Sequence, residues 1–202
     1  MPPTIRLATL DDAEQIQALY APYCATPISF ELEPPSVAEM HRRLAKIHGS
    51  YPWLVCEAGS DLLGYVYATQ HRERAAYRWS VDTTVYVHQG RQRQGAGRAL
   101  YASLLAVLPL QGYVNAYAGV TLPNPASVGL HEAMGFQQVG VYKQVGFKCG
   151  VWHDVAWFQR PLGERTGQPQ PPLRLEDVCG TTAWEEALNT GLQFLRERGR
   201  FS

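Results

Sequence analysis

Val85-Tyr86-Val87, followed by Gln92-Arg93-Gln94-Gly95-Ala96-Gly97-Arg98 and an apolar run to Leu105, is the stretch that decides the fold. A β-rich segment enters a basic turn with two glycines, and the turn opens a helix. The first N–H groups of a helix have no intrahelical acceptor and point at whatever lies above the turn. Glycines allow close backbone approach, and Arg91, Arg93 and Arg98 add positive charge. The stretch reads as a pyrophosphate cradle. A P-loop would need Lys and Ser/Thr after Gly95, where Ala96-Gly97 stand. A dinucleotide fingerprint would need Gly or Ala where Leu100 stands.

Upstream, residues 5–8 read as a strand and 11–25 as a helix whose end is blurred by Pro22. Residues 28–32 read as extended. Ser36-Val37-Ala38-Glu39 is a capping box opening a helix to about Ile47. Residues 53–58 and 62–69 flank Gly59-Ser60-Asp61 as a hairpin, and 79–88 is a long β-rich run. Downstream, the helix from Gly95 ends at Pro109, and 113–120 reads as a strand. Asn124-Pro125 is an N-cap with proline at the first helical position, and that helix stops at Gly135. Residues 136–148 and 151–160 close the pattern as two strands. The order β-α-α-β-β-β-α-β-α-β-β predicts an α/β (α+β) mixed sheet with helices on both faces, not a doubly wound parallel one.

The chain has 202 residues, 46% hydrophobic and 18% charged, with 18 basic and 18 acidic side chains. That composition predicts a globular domain and carries no general nucleic-acid footprint. Residues 1–162 read as the domain, 163–172 as a Pro/Gly/Gln-rich linker, and 173–202 as a tail. In the tail a capping box at Thr182-Ala183-Trp184-Glu185 opens one amphipathic helix. Trp184, Leu188, Leu192 and Leu195 form its stripe, which ends at Gly199. The stripe packs either on its own domain or on a second subunit. Cys24, Cys56, Cys149 and Cys179 form no C-x-x-C pair and are expected as small buried hydrophobes in a reducing compartment. The histidines show no metal spacing, so no metal is assigned. The N-terminus has no apolar core of a signal peptide, and the most apolar run, 99–110, is too short to span a bilayer. A cytoplasmic protein without membrane or nucleic-acid partners is expected.

The Q-x-x-G-x-G turn resembles the pyrophosphate loop of the GNAT (GCN5-related) N-acetyltransferases. Residues 124–136, Asn-Pro-Ala-Ser-Val-Gly-Leu-His-Glu-Ala-Met-Gly-Phe, resemble that family's second cofactor helix. Ser29-Phe30-Glu31, Tyr51-Pro52-Trp53-Leu54-Val55, Ala76-Tyr77-Arg78-Trp79, Phe147-Lys148 and Trp152-His153-Asp154 resemble more narrowly the phosphinothricin and methionine sulfoximine acetyltransferases. The resemblance covers residues 4–160. It implies the GNAT sheet, mixed and mostly antiparallel, with acetyl-CoA as co-substrate and a homodimer.

It also implies roles for residues. Main-chain groups of Val85 and Val87, with Tyr86 between them, would pair with the pantetheine arm. N–H groups from Arg93, Gln94, Gly95, Ala96, Gly97 and Arg98 would hold the pyrophosphate. Asn124 and Ser127 would line the pantetheine side. Asp82 stands where the narrower group usually has Glu, so a carboxylate there would take the amine's proton directly or through a water. Pairing with a nearby arginine is its structural alternative. His131 stands where many family members carry the tyrosine that protonates the leaving thiolate, and acts as that acid or contacts the substrate. Arg72, Arg74 and Tyr77 match the substrate loop, where guanidinium would bind an acid group. Phe30 would close over the substrate.

The function implied is transfer of acetyl to the amine of a small amino-acid-like substrate by direct attack. Another amine (a polyamine or a protein N-terminus) and a non-catalytic acyl-CoA-binding module are the alternatives.

Overall fold

The computed structural model describes residues 2–165 and 167–196. Among the described residues seven strands form one sheet: β1 (Thr4–Leu7), β2 (Trp53–Ala58), β3 (Asp61–Gln70), β4 (Ser80–Val87), β5 (Asn115–Leu122), β6 (Gln137–Lys148) and β7 (Val151–Pro161). Their order is β1-β2-β3-β4-β5-β7-β6, and only the β4–β5 pair is parallel. A parallel pair needs a long crossover. α3 (Ala96–Val107) supplies it. Strand pairing between β4 and β5 is confined to Ser80↔Asn115, Val81↔Ala116 and Asp82↔Tyr117. Beyond Asp82 the ladder stops, and the sheet is forked there.

The fork's surroundings follow from two cores. α1 (Ala13–Tyr20) and α2 (Val37–Ile47) cover one face, burying Ile16, Leu19, Met40 and Leu44 among Trp53, Val55 and Tyr65. α3 covers the other face and is apolar nearly all round, as a helix buried on both sides must be. The sheet takes one side of it. The tail, as α5 (Leu175–Val178), α6 (Thr182–Asn189) and α7 (Gln193–Arg196), takes the other. Leu175, Val178, Trp184 and Leu188 are buried in the same core as α3. The tail stripe therefore packs on its own domain. Ser103 Oγ donates to Leu188 O at 2.6 Å and accepts from Gly191 N–H at 3.2 Å. α4 (Pro125–Ala133) flanks the fork.

Several boundaries differ from the sequence reading. The first helix stops at Tyr20, and residues 21–25 continue as a 3₁₀ turn carrying Pro22, whose ring and missing N–H spoil an α-helix. Residues 28–32 form no strand. Their loop is tied down by Lys148 Nζ, which donates to the carbonyls of Cys24, Ser29 and Glu31 at 2.5–2.8 Å. Ser36 Oγ caps Glu39 N–H at 3.1 Å, but the Glu39 carboxylate turns to Arg42 and Arg43, so the box closes on one side only.

In the tail the cap is Thr181, not Thr182, with its hydroxyl accepting from Trp184 N–H at 3.2 Å. The single amphipathic helix is broken at residues 190–192, where Gly191 lies against the Ala99 carbonyl with no room for a side chain. The expected end at Gly199 lies outside the described residues. Cys24 and Cys56 are buried as expected. Cys149 is exposed, because it sits in the β6–β7 turn with a left-handed backbone. Among the described residues no helix is long and apolar enough to cross a membrane.

Candidate active site

Two concavities share Tyr86 of β4. The first is a groove of about 540 Å³ between β4, α3 and α4. Its lining includes Val85, Tyr86 and Val87 of β4, Arg93 and Gly95 of the turn, Ala96, Gly97 and Arg98 of α3, the cap residue Asn124 and Ser127 of α4. Gln94 is exposed and is not in the lining. Gly95 takes the left-handed region, φ 93°, and caps α3, so the N–H groups of Ala96, Gly97 and Arg98 stay without helical acceptors. A Cβ on Gly97 would stand 3.2 Å from Leu130 Cδ2 and 3.4 Å from Val87 Cγ2. Gly97 thus lets α3 and α4 close together at the groove. Arg91 turns away to Asp61 at 3.4 Å, and the Arg98 guanidinium lies 5.5 Å from the Phe194 ring centre.

The open edge of β4 faces this groove. His88 N–H donates to Leu63 O, so alternation along the antiparallel ladder turns the main-chain groups of Val85 and Val87 toward the fork. The Val87 carbonyl already accepts from the Tyr23 hydroxyl, which Gln92 Nε2 braces at 3.1 Å. The groove therefore combines an exposed strand edge, free helix-start donors and basic side chains, which fits the elongated, pyrophosphate-bearing acetyl-CoA.

At the base of the fork Thr83 Oγ1 donates to Tyr117 O at 3.0 Å. Behind it lies His131, only 3% exposed. Its Nδ1 is 2.7 Å from Ser127 O, a pure acceptor, so Nδ1 carries the proton and Nε2 accepts from the Tyr101 hydroxyl at 2.8 Å. Burial holds its pKa below the usual imidazole value. His131 is thus neutral beside the fork, with its own proton aimed at Ser127 and the Tyr101 hydroxyl between its Nε2 and Thr83.

The second concavity, about 930 Å³, opens on the α1–α2 face. Arg72, Arg74 and Tyr77 all line it, opposite an aromatic wall of Trp53, Tyr65, Tyr67 and Tyr86. Arg72 donates to His71 O at 2.8 Å and lies 5.7 Å from the Trp157 ring centre. Arg74 has no side-chain partner among the described residues. Phe30 does not line this cleft. Its ring lies where a Cβ on Gly146 would be, so the glycine gives it a seat on β6, and the neighbouring Glu31 lines the cleft instead.

Asp82 is paired with His71, not with an arginine. His71 Nδ1 and Asp82 Oδ1 are 2.6 Å apart. Burial pushes the Asp82 pKa up, and the His71 hydrogen bond works against that rise. Sequence reasoning gave His71, Tyr23 and Tyr101 no role. His71 had a readable signal: strands over 61–70 and 80–87 that pair as neighbours bring the residue after the first beside the start of the second. Among the described residues no three His, Cys, Asp or Glu side chains gather as metal ligands.

Comparison with known proteins returns the same chemistry. Residues 5–157 match the model of the acetyltransferase (GNAT) domain. The chain is 38% identical to a phosphinothricin N-acetyltransferase of Streptomyces viridochromogenes, over 84% of this chain and 93% of that protein. It is 43% identical to one of Alcaligenes faecalis, over 79% and 82%. Among solved structures, a GNAT phosphinothricin acetyltransferase of Sinorhizobium meliloti in complex with acetyl-CoA superposes with a TM-score of 0.79. That match has 34% identity and covers 91% of this chain and 99% of that one.

Proposed function

The chain belongs to the GNAT acetyltransferase family and is an acetyl-CoA-dependent N-acetyltransferase; from that premise we propose that its substrate is a small acid-bearing amine of the phosphinothricin or methionine sulfoximine type, acetylated by direct attack in a ternary complex. The observation that carries this reading is that Tyr86 borders both concavities. An acyl donor laid along β4 would meet, at the fork, an amine entering from the cleft that holds Arg72 and Arg74. Two guanidinium groups suit a carboxylate, phosphinate or sulfoximine partner.

In this reading the strand edge at Val85 and Val87 and the donors of residues 93–98 bind the donor, with Asn124 and Ser127 on the opposite wall. The Asp82 carboxylate belongs to the machinery that takes up the amine's proton, and His131 with Tyr101 borders the leaving thiolate. The test is turnover of acetyl-CoA with phosphinothricin, methionine sulfoximine, methionine sulfone, spermidine and a peptide amino terminus. Preference for the acid-bearing amines supports the assignment, and preference for spermidine or the peptide refutes it.

We further propose a cytoplasmic homodimer built on the β6–β7 hairpin. Tyr142, Val145, Phe147 and Trp152 are exposed there, Phe147 by 56% and Trp152 by 61%, on the sheet's outer edge. Large exposed apolar groups clustered on one hairpin mark an interaction face.

A further inference from the structure

His71 follows β3 directly, and the pairing of Thr69 with Asp82 sets it beside the Asp82 carboxylate. A carboxylate accepts, so in the neutral ring the proton sits on Nδ1 and the lone pair on Nε2. The ring is fixed. It stacks on Tyr117 at 4.3 Å with planes 15° apart, and Tyr77 meets it edge-on at 5.9 Å. Among the described residues Nε2 has no hydrogen-bond partner. His71 lines the cleft that holds Arg72 and Arg74, and Asp82 does not.

From this arrangement we infer that His71 is the catalytic base toward the substrate amine and that Asp82 is a positioning residue acting through it. The inference rests on the acetyl-transfer reading above. Nε2 takes one proton from the substrate ammonium. The freed lone pair attacks the thioester carbonyl carbon, the N–C bond forms and the C–S bond breaks. A second nitrogen proton goes to the departing thiolate, the third stays on the amide, and His71 returns its proton to water. His71 borders the cleft, and the Asp82 carboxylate that orients it does not.

The groups facing His71 are Asp82 from β4, Tyr117 from β5, Trp157 from β7, and Arg72 and Tyr77 from its own loop; Glu73 lines the same cleft. The test uses the full chain with acetyl-CoA and whichever amine reacts. His71→Gln should lower kcat/KM at neutral pH by about 10²–10⁴-fold, the usual worth of a general base. Its acetyl-CoA affinity by calorimetry should be unchanged. Its deficit should shrink as pH rises and the amine becomes neutral without help.

Asp82→Asn should lose nearly as much, and the double variant no more than His71→Gln, because groups acting as a unit are not additive. A His71→Gln enzyme with a wild-type rate, or one whose deficit is the same at every pH, overturns the assignment. A second readout needs no turnover. Imidazole ¹⁵N NMR of the neutral ring should show the Nδ1–H tautomer in wild type and a shift toward Nε2–H in Asp82→Asn. A wild-type ring in the Nε2–H form overturns the inference. If only amines without an acid group react, the substrate reading fails, and the His71 assignment is scored on the amine that does.

Discussion

The Phe194 carbonyl oxygen of the tail occupies the place where a Cβ on Gly95 would stand. The turn that opens α3 is thus shaped from two sides, by its own left-handed φ and by α7 resting on it. A side chain at 95 would strain the backbone by about 1–2 kcal/mol and also push the tail away. Gly95→Ala should therefore lower both Tm and acetyl-CoA affinity. Phe194→Ala removes the ring under Arg98 and leaves the turn in place. With a cation–π contact at an open site worth about 0.5–1 kcal/mol, its acetyl-CoA Kd should rise two- to fivefold. Calorimetric titration of both variants decides this, and an unchanged Kd for both would separate the tail from donor binding.

Gly97 works differently. Its nearest neighbours are side-chain ends, Leu130 Cδ2 and Val87 Cγ2, which can yield by a few tenths of an ångström. Gly97→Ala should therefore bind acetyl-CoA within a few-fold of wild type. Gly97→Glu would put a carboxylate among the free N–H groups and should weaken binding by about a hundredfold or more, while circular dichroism stays close to wild type. Equal affinity for all three proteins would remove the turn from the donor site.

The glycine turn, the helix starts at Ser36 and Asn124 and the strand runs could be read from residues alone, because each is a local signal within one turn or one strand. What escaped reading depends on register and on long-range packing. Phe30 looks like a lid in sequence, and only the Gly146 seat on β6 shows where its ring goes. His71 sits in a polar, basic loop with no motif. Its stacking on Tyr117 requires the short parallel pairing of β4 with β5, which periodicity does not encode. The tail showed its stripe but not its break, since Gly191 gives way to a carbonyl on α3.

His131 gives the chain an acid-sensitive core. Its folded-state pKa is held below the unfolded value near 6.5 by burial. The unfolded chain then binds more protons than the native one in that interval, so stability falls as pH drops below about 6.5 and levels off below the folded pKa. His131→Gln keeps a polar side chain and cannot titrate. Urea midpoints from pH 7.5 down to 5 should fall in wild type and fall less in the variant. Parallel declines would place the titrating group elsewhere.

The hairpin face proposed for dimerisation predicts a clean change of mass. Phe147 and Trp152 stand against each other, ring centres 5.4 Å apart, on the exposed edge. Trp152→Glu would put a charge into an apolar contact and should yield a monomer by sedimentation velocity, with circular dichroism close to wild type. A wild-type chain that sediments as a monomer would end the dimer proposal.

Arg72 and Arg74 line one cleft but differ in what else they hold, and this separates substrate recognition from support. Arg72 braces the His71 carbonyl and covers Trp157, so Arg72→Gln should disturb the ring that faces the amine whatever the substrate. Arg74 carries no such duty among the described residues and is available for an acid group. A charged hydrogen bond lost from one partner costs about 1.5–3 kcal/mol, or roughly ten- to a hundredfold in kcat/KM. Arg74→Gln should show that loss with an acid-bearing amine and almost none with its carboxamide. Arg72→Gln should slow both. The measurement is kcat/KM for the two substrates with the three enzymes. An equal loss on acid and carboxamide for Arg74→Gln would make Arg74 a supporting residue and leave the acid group of the substrate without its assigned partner.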